Sequence, residues 1–174
     1  MSELRSLIEH VPQTGRLEWI GLRPGRREPV TAVEEVAVTT EHGLEGDHYR
    51  TRSGSTGKRQ VSLIQAEHLP VVAALTGRAD IAPELVRRNL LVSGINLASL
   101  KDLHFRIGEV EFVGTGPCTP CSRMDEVLGP GGFQAMRGDG GLLARVVRGG
   151  TMRLGDVVQA FASPTSSSIS PSAR

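Results

Sequence analysis

Phe105-Arg-Ile-Gly-Glu-Val110 and Met152-Arg-Leu-Gly-Asp-Val157 share one pattern, in which an apolar residue, a glycine and an acid precede a valine. The Gly-acid pair permits a tight turn, and an apolar strand follows each pair. Two similar turn-to-strand corners of a barrel explain the repeat better than a gene duplication does. Glycine is abundant, and valine, leucine and isoleucine supply most of the apolar mass. The sequence therefore predicts a mostly β domain with short helices, either a closed barrel or strongly bent sheets.

Short apolar runs on either side of these corners predict the remaining elements. The predicted strands are residues 15–22, 30–39, 60–64, 90–92, 109–114, 142–147 and 156–161. Helices are predicted at 66–75, ended by Gly77, and at 82–88, and Pro70 fits the first helix within its first turn. No linker divides residues 1–162, which are predicted to form one domain. The Ser/Pro-rich residues 163–174 have the composition of a disordered tail.

The charge and composition of the chain exclude several classes of protein. Lysine and arginine number 20 against 19 aspartates and glutamates, so no global basic field attracts nucleic acid. Aromatic residues make up 3% of the chain, too few for base-stacking platforms. The amino terminus lacks the apolar run of a signal peptide, and no stretch has the length of a membrane span. We expect a cytoplasmic protein that binds neither nucleic acid nor membrane, with both of its cysteines reduced.

The segment Gly114-Thr-Gly-Pro-Cys-Thr-Pro-Cys-Ser-Arg-Met-Asp125 is the strongest candidate for chemistry. Its cysteine pair is compatible with half of a zinc site, with a thioredoxin-type dithiol, or with one thiolate that ligates a soft metal carried by a cofactor. The alternative is two inert thiols buried in a loop. Its glycines and prolines fix an irregular backbone that brings N–H groups to a ligand, and Arg123 adds positive charge. These features favour a functional loop.

Gly43-Leu-Glu-Gly-Asp-His48 is a second candidate. Its two glycines frame an acid beside a histidine, so Asp47 and His48 are candidates for proton transfer or metal binding. The alternative is a plain Gly-Asp turn with a surface histidine.

Two basic segments are candidates for anion binding. Arg52-Ser-Gly-Ser-Thr-Gly-Lys-Arg59 resembles the end of a phosphate-binding loop, but it lacks the first glycine and the hydroxyl residue after Lys58. Lys58 and Arg59 remain able to bind an anion, and the alternative is a solvated hairpin. Arg87-Arg88-Asn89 pairs two arginines, which suits bidentate capture of phosphate or carboxylate, or else stabilises a helix end.

Taken together and in order, these segments resemble the MOSC domain, named for the C-terminal domain of molybdenum-cofactor sulfurase, and above all its small stand-alone bacterial members. The resemblance runs from about Gly15 to Phe161. Its marks are Gly43-Leu-Glu-Gly-Asp-His48, Arg59-Gln-Val-Ser-Leu-Ile64, Arg88-Asn-Leu-Leu-Val-Ser-Gly-Ile-Asn-Leu97, Phe105-Arg-Ile-Gly-Glu-Val110, Gly116-Pro-Cys-Thr-Pro-Cys-Ser-Arg-Met124 and Gly141-Leu-Leu-Ala-Arg-Val-Val147.

The resemblance implies a β-barrel similar to that of pyruvate kinase, with a pocket for the molybdenum cofactor, a pterin that carries a dithiolene and a phosphate. The cysteine that ligates molybdenum in cofactor-holding members maps onto Cys121, and Cys118 is an extra thiol beside it. Molybdenum is soft enough for a thiolate ligand. The remaining assignments are Lys58, Arg59 and Arg88 to the phosphate, Asn89 and Asp47 to the pterin ring edges, Asp47 and His48 to proton transfer, and Arg123 to the cofactor-binding loop.

Two activities follow from the resemblance. One is reduction of N-hydroxylated compounds, and the other is carriage of sulfur on Cys121 as a persulfide for metal-cofactor assembly, with a cysteine desulfurase or a redox protein as partner. A cofactor-free thiol–disulfide protein that uses Cys118 and Cys121, and a non-catalytic binding barrel, stay open as alternatives. The longer reductases of the family have a further N-terminal segment that helps hold the pterin. Since this chain starts close to the MOSC core, we expect the purified protein to lack the cofactor.

Overall fold

The computed structural model of the protein describes residues 3–50 and 57–162. Its strands are β1 (Thr14–Leu22), β2 (Thr31–Val33), β3 (Glu35–Thr39), β4 (Gly43–Leu44), β5 (Val61–Gln65), β6 (Leu90–Ser93), β7 (His104–Ile107), β8 (Val110–Pro117), β9 (Leu142–Arg148), β10 (Gly150–Arg153) and β11 (Val157–Phe161). Its helices are α1 (Glu3–Glu9), α2 (His68–Thr76), α3 (Arg123–Leu128) and α4 (Gly132–Ala135), with 3-10 helices at Pro83–Val86 and Leu97–Leu100.

Seven of the strands close into a barrel, in the order β1, β6, β5, β9, β8, β7 and β11, with β11 pairing again with β1. Strands β5 and β6 run parallel, and the other neighbouring pairs of the barrel are antiparallel. Strand β2 pairs antiparallel with the end of β1, while β10, β3 and β4 form a separate small sheet. The prediction of a mostly β fold with a closed barrel is confirmed.

The barrel interior is filled by alternate side chains of its strands. Leu63 of β5 and Leu90 of β6 are fully buried inside, and the rings of Phe105 and Phe112 stack with centroids 5.3 Å apart. Glycine is required where strand β8 passes Leu100, because a Cβ on Gly114 would lie 2.2 Å from the Leu100 carbonyl oxygen. The barrel is therefore a packed core, and functional groups lie at its rim and in the loops outside it.

A second apolar cluster joins the helices to the outside of the barrel. Ile64 and Leu91 alternate with the inward-facing residues of β5 and β6, so their side chains point outward. They pack with Val72 of α2 and with Met124 and Leu128 of α3. Burial of Met124 and Leu128 fixes helix α3. It also fixes the segment that immediately precedes the helix, residues 118–122, which we call the cysteine loop.

The two corners predicted from the repeated motif are real, but they differ in topology. Around Gly108 the chain makes a hairpin, because β7 and β8 pair with each other. Around Gly155 the chain changes sheets, because β10 pairs with β3 whereas β11 pairs with β7 and β1. The same turn chemistry thus serves two kinds of connection. Strands β7 and β10, which precede the turns, were not predicted from the sequence.

Most predicted elements lie where expected, with a few differences. The strand predicted at 30–39 divides at Glu34 into β2 and β3, which belong to different sheets. The helix predicted at 66–75 is α2, with Pro70 in its first turn and Gly77 in the left-handed conformation at its end, φ 68°. The helix predicted at 82–88 is a short 3-10 helix. Helices α1, α3 and α4 were not predicted, and the predicted tail at 163–174 lies outside the described residues.

No helix within the described ranges is both long enough and apolar enough to cross a lipid bilayer.

Two adjacent valines of α2 test the second apolar cluster. Val72 is fully buried and Val71 is 45% exposed. We predict that Val72→Ala lowers the free energy of unfolding by about 2 kcal/mol, because it removes buried methyl groups and leaves a cavity. The matched control Val71→Ala should change it by less than about 0.5 kcal/mol. Urea denaturation measures both, and equal losses would contradict the packing of α2 on the barrel.

Candidate functional site

A cavity of about 260 Å³ lies beside the barrel, between the cysteine loop and the turns that follow β1 and β4. The described residues that line it include five arginines and both cysteines but no carboxylate. Its lining is Arg23, His48, Tyr49, Arg59, Ser62, Arg87, Arg88, Cys118, Thr119, Cys121, Arg123, Met124 and Leu143. The chain as a whole is nearly neutral, so this cavity concentrates positive charge locally.

Asp47 is buried behind the cavity and binds Arg23. Its carboxylate accepts hydrogen bonds from the backbone N–H of Arg23 at 2.7 Å, from Nε at 3.1 Å and from Nη2 at 2.8 Å. The backbone N–H of Tyr49 also donates to it, at 3.2 Å. Burial raises the pKa of the Asp47 carboxyl, but the hydrogen bonds and charge of Arg23 outweigh burial, so the pKa is lowered. Asp47 is therefore ionised at neutral pH and fixes the Arg23 guanidinium at the cavity.

Asn89 completes this buried network at the start of β6. Its side-chain N–H groups donate to Asp47 Oδ1 at 3.1 Å and to the Gly21 carbonyl at 3.2 Å. Its Oδ1 accepts from the Ser62 hydroxyl at 2.9 Å and from Arg23 Nη2 at 3.2 Å. The network ties β1, β5, β6 and the turn after β4 together. Asn89 is fully buried and does not line the cavity.

Arg88 holds the cysteine loop in place. Its guanidinium donates to three backbone carbonyls, those of Gly140 at 2.8 Å, Val86 at 3.0 Å and Cys118 at 3.3 Å. A Cβ on Gly140 would lie 2.1 Å from the Cys118 carbonyl oxygen, so glycine is needed for this close approach. Arg88 is 6% exposed and makes no ion pair within the described residues. A buried cation with uncharged partners leaves net positive charge beside the cavity.

The two thiols lie in different environments. Cys118 is buried, and its backbone N–H donates to the Gly141 carbonyl at 2.8 Å. Cys121 is exposed and precedes helix α3, where its carbonyl accepts from the Met124 N–H. In a thioredoxin-type pair the first cysteine is the accessible nucleophile. Here the second cysteine is the accessible one, which favours the single-thiolate interpretation over the dithiol.

Arg87 and Arg123 are two further arginines of the cavity wall. Arg87 Nη1 donates to the Glu28 carbonyl at 2.7 Å, and Arg123 Nη2 donates to the Arg27 carbonyl at 3.3 Å. Burial and the charges of Arg123 and Arg23 lower the pKa of the Arg87 guanidinium. Cys121 and Asp47 act in the opposite direction but do not cancel this effect. The Nε of Arg123 is buried and has no hydrogen-bond partner in the described part of the chain.

The structure separates the predicted site residues into three groups. Cys121, Cys118, Arg59, Arg88, Arg123 and His48 line the cavity, whereas Asp47 and Asn89 lie behind it. Lys58 lies apart from both groups, in a different surface depression with Asp102 and Arg145. The phosphate-binding role predicted for Lys58 and the ring-edge contacts predicted for Asn89 and Asp47 stay predictions, and the geometry favours positioning roles for the last two. Residues 51–56 of the basic loop lie outside the described residues.

His48 is the candidate for proton transfer that reaches the cavity. The Arg23 carbonyl accepts from the His48 backbone N–H at 2.7 Å and lies 3.1 Å from the ring Nδ1. Because a carbonyl oxygen is an acceptor, Nδ1 carries the proton of the neutral ring and Nε2 is left as the base. The acid–base role predicted for Asp47 has less support, since an ionised carboxylate with five donors around it has no proton to give.

Arg23, Arg87 and Tyr49 are cavity residues that were not singled out as site residues in the sequence. Arg23 stands in a turn-rich segment, and Arg87 adopts a left-handed backbone conformation, φ 56°, at the end of a 3-10 helix. The sequence pairs Arg87 with Arg88 and predicts Arg88 as the member that faces the ligand. The structure buries Arg88 and leaves Arg87 half-buried at the cavity.

The described residues contain no group of three or more histidine, cysteine, aspartate or glutamate side chains arranged to hold a metal ion. A metal at this cavity would thus have at most two such side chains of the described residues as ligands.

The lowered pKa of Asp47 makes folding stability depend on pH. Between the folded and unfolded pKa values the unfolded chain binds more protons, so the stabilisation is complete above about pH 4 and is lost as the pH falls through the lowered value. We predict that lowering the pH from about 5 to about 2.5 reduces the free energy of unfolding less in Asp47→Asn than in the unmodified protein. Asp80→Asn, at an exposed position, is the control. Urea denaturation at each pH measures this, and identical slopes for all three proteins would contradict it.

Comparisons with known proteins agree with the architecture and the motifs. The family model described as the MOSC domain matches residues 36–159. The crystal structure of the YuaD protein from Bacillus subtilis is similar in fold, with a TM-score of 0.74 and 20% identity over 86% of this chain and 97% of that one. YiiM from Geobacillus stearothermophilus gives a TM-score of 0.69 with 16% identity, over 85% of this chain and 75% of that one. YiiM from Escherichia coli gives a TM-score of 0.65 with 21% identity, over 85% of this chain and 70% of that one. No curated protein matches the sequence. Because the family model covers most of the barrel, the chain belongs to the MOSC domain family.

Proposed function

We propose that the protein binds the molybdenum cofactor in the arginine-lined cavity and reduces N-hydroxylated compounds there. The observation that carries the proposal is the exposed thiol of Cys121 in a cavity lined by five arginines and, among the described residues, by no carboxylate. A soft thiolate suits molybdenum, and clustered guanidinium groups suit a phosphate. Membership of the MOSC domain family agrees with this, since such domains are associated with the cofactor.

The residues present fit the cofactor in two respects. A doubly charged phosphate needs charge-assisted donors, and Arg59 is an exposed member of the cavity wall with no hydrogen bond inside the described part of the chain. The buried, unpartnered Nε of Arg123 is a donor that a bound anion would satisfy. The cavity thus offers unused donors beside the same space as the thiol.

The chain's own residues have distinct parts in this proposal. Cys121 would hold the metal, Arg59 and Arg23 would bind the phosphate, and His48 would move a proton through its unprotonated Nε2. Asp47 and Asn89 hold Arg23, and Arg88 holds the cysteine loop, so these three act through their neighbours. The cofactor, when bound, would supply the redox centre for reduction of the N–OH group to N–H, with two electrons from a redox partner protein and with release of the oxygen as water.

Sulfur carriage on Cys121 is the second candidate function. Its supporting observation is the exposure of the Cys121 thiol, which a protein donor such as a cysteine desulfurase, or a redox partner, would have to reach. A cofactor-free dithiol function has less support, because the accessible thiol is that of the second cysteine, the reverse of a thioredoxin-type pair.

Molybdenum content tests the first proposal. Because the sequence leads us to expect that ordinary purification loses the cofactor, the protein is isolated rapidly and without oxidants from cells with an intact cofactor pathway. Under these conditions we predict about one molybdenum and one pterin per chain, following from a single thiolate site. Cys121→Ala should lose both by at least about tenfold, as expected for removal of a metal ligand. Elemental analysis and fluorescence of the oxidised pterin measure the two components.

Cys118→Ala is the matched control, since it removes the neighbouring thiol and leaves Cys121. Loading within about twofold of the unmodified protein is expected for it, because a buried free cysteine acts as a small apolar residue. Equal loss of molybdenum from both variants would contradict the assignment of Cys121 as ligand. Absence of molybdenum and pterin from the unmodified protein would overturn cofactor binding and leave persulfide formation on Cys121 to be measured by mass spectrometry.

A further inference from the structure

A second cleft lies directly behind the Arg87–Arg123 wall. It has a volume of about 210 Å³, and Arg87 and Arg123 line both it and the thiol-containing cavity. Its other lining residues are Pro29, Val30, Glu84, Leu85 and Val127. The function proposed above makes no use of this space. We call it the apolar cleft.

The apolar cleft presents carbon surface that the fold leaves uncovered. Val30, Leu85 and Val127 are half-buried, and each belongs to a different segment: the loop before β2, the 3-10 helix and α3. Leu85 and Val127 pack by one side against the second apolar cluster. Their remaining exposed surface faces a concave space rather than open solvent. For scale, an engineered cavity of about 150 Å³ binds benzene.

The wall between the two spaces, formed by Arg87 and Arg123, carries positive charge that favours binding of an anion. Each of its two arginines donates to one backbone carbonyl, Arg87 to Glu28 and Arg123 to Arg27. Carbonyl oxygens position a guanidinium without neutralising it. Arg27 forms a 3.7 Å ion pair with Glu126, but both of those side chains are more than half exposed. The cations on the wall therefore repel one another, and the Arg123 Nε lacks an acceptor within the described residues.

We propose that the two cavities form one composite site for a ligand that combines an oxyanion with an apolar ring or chain. The oxyanion lies between Arg87 and Arg123, and the apolar group lies in the cleft against Val30, Leu85 and Val127. The ligand reaches from the cleft toward Cys121. This inference rests on the proposed function in one respect, since it describes the substrate class of the same site.

Glu84 supplies a sign-specific test, because it is the one carboxylate among the described residues of the cleft. It is exposed, so its charge opposes an incoming anion without taking part in packing. Glu84→Gln should tighten binding of any anion on the wall by about two- to threefold. Arg87→Gln should weaken it by about tenfold.

The experiment compares phenyl phosphate with inorganic phosphate on the cofactor-free protein, by isothermal titration calorimetry. Both probes carry the same charged group, so their ratio isolates the ring. Burial of about 60 Å² of ring surface predicts about tenfold tighter binding of phenyl phosphate. Leu85→Ala should reduce that ratio to about twofold or less while affinity for inorganic phosphate stays the same. Leu75→Ala, on the exposed side of α2, is the matched control and should keep the full ratio.

Methyl NMR of the unmodified protein provides a second measurement that needs no variant to fold. Phenyl phosphate should shift the methyl signals of Val30 and Val127, and inorganic phosphate should leave them in place. Equal affinity for the two probes, or no binding of either, would overturn the inference. A tenfold preference without molybdenum loading in cells would overturn the proposed function alone, whereas equal affinities in a protein that loads molybdenum would overturn the composite site alone.

Discussion

The buried contact between Asp47 and Arg23 is the interaction on which the site depends. A carboxylate that is 2% exposed stays ionised because five donors surround it, three of them from Arg23 and one each from Tyr49 and Asn89. Two of those donors belong to the guanidinium, so the pair is bidentate and fixes its direction as well as its position. Through Asn89 and Ser62 the same network reaches β5 and β6. The barrel rim and the charged cavity are thus held by one set of hydrogen bonds.

The remaining cations are held in a different way, which explains why the cavity stays positive. Arg88 donates to three carbonyls, and Arg87 and Arg123 to one each. Backbone carbonyls restrain these side chains but leave their charges uncompensated. Such an arrangement costs stability in the ligand-free protein and favours a bound anion. Cys121 stands at the edge of this field because burial of Met124 and Leu128 anchors the helix that follows it.

The sequence was sufficient for most of the fold, and for the site it supplied candidate residues. Gly-acid turns and alternating apolar residues are local signals, and they predicted the barrel, most of its strands and helix α2. The segment 30–39 was predicted as one strand because its alternation is continuous, whereas its division between two sheets at Glu34 depends on distant partners. Cys121 was distinguished from Cys118 through the family motif, and the exposure of the two thiols agrees with that distinction. No local sequence pattern identifies Arg23 as a cavity residue, because its position is set by hydrogen bonds to Asp47, 24 residues away. Lys58 and Arg59 are adjacent in sequence, yet the turn sends them to different depressions.

The ligand that we propose for molybdenum is the Cys121 thiolate. X-ray absorption at the molybdenum edge tests it directly when selenocysteine replaces Cys121 and the cofactor is loaded in cells. Selenium differs enough from sulfur in scattering to be recognised beside the cofactor's own sulfurs. We predict one selenium neighbour at bonding distance from molybdenum, and no selenium neighbour when selenocysteine instead replaces Cys118. A loaded protein with selenium at position 121 and only lighter neighbours around its molybdenum would contradict it.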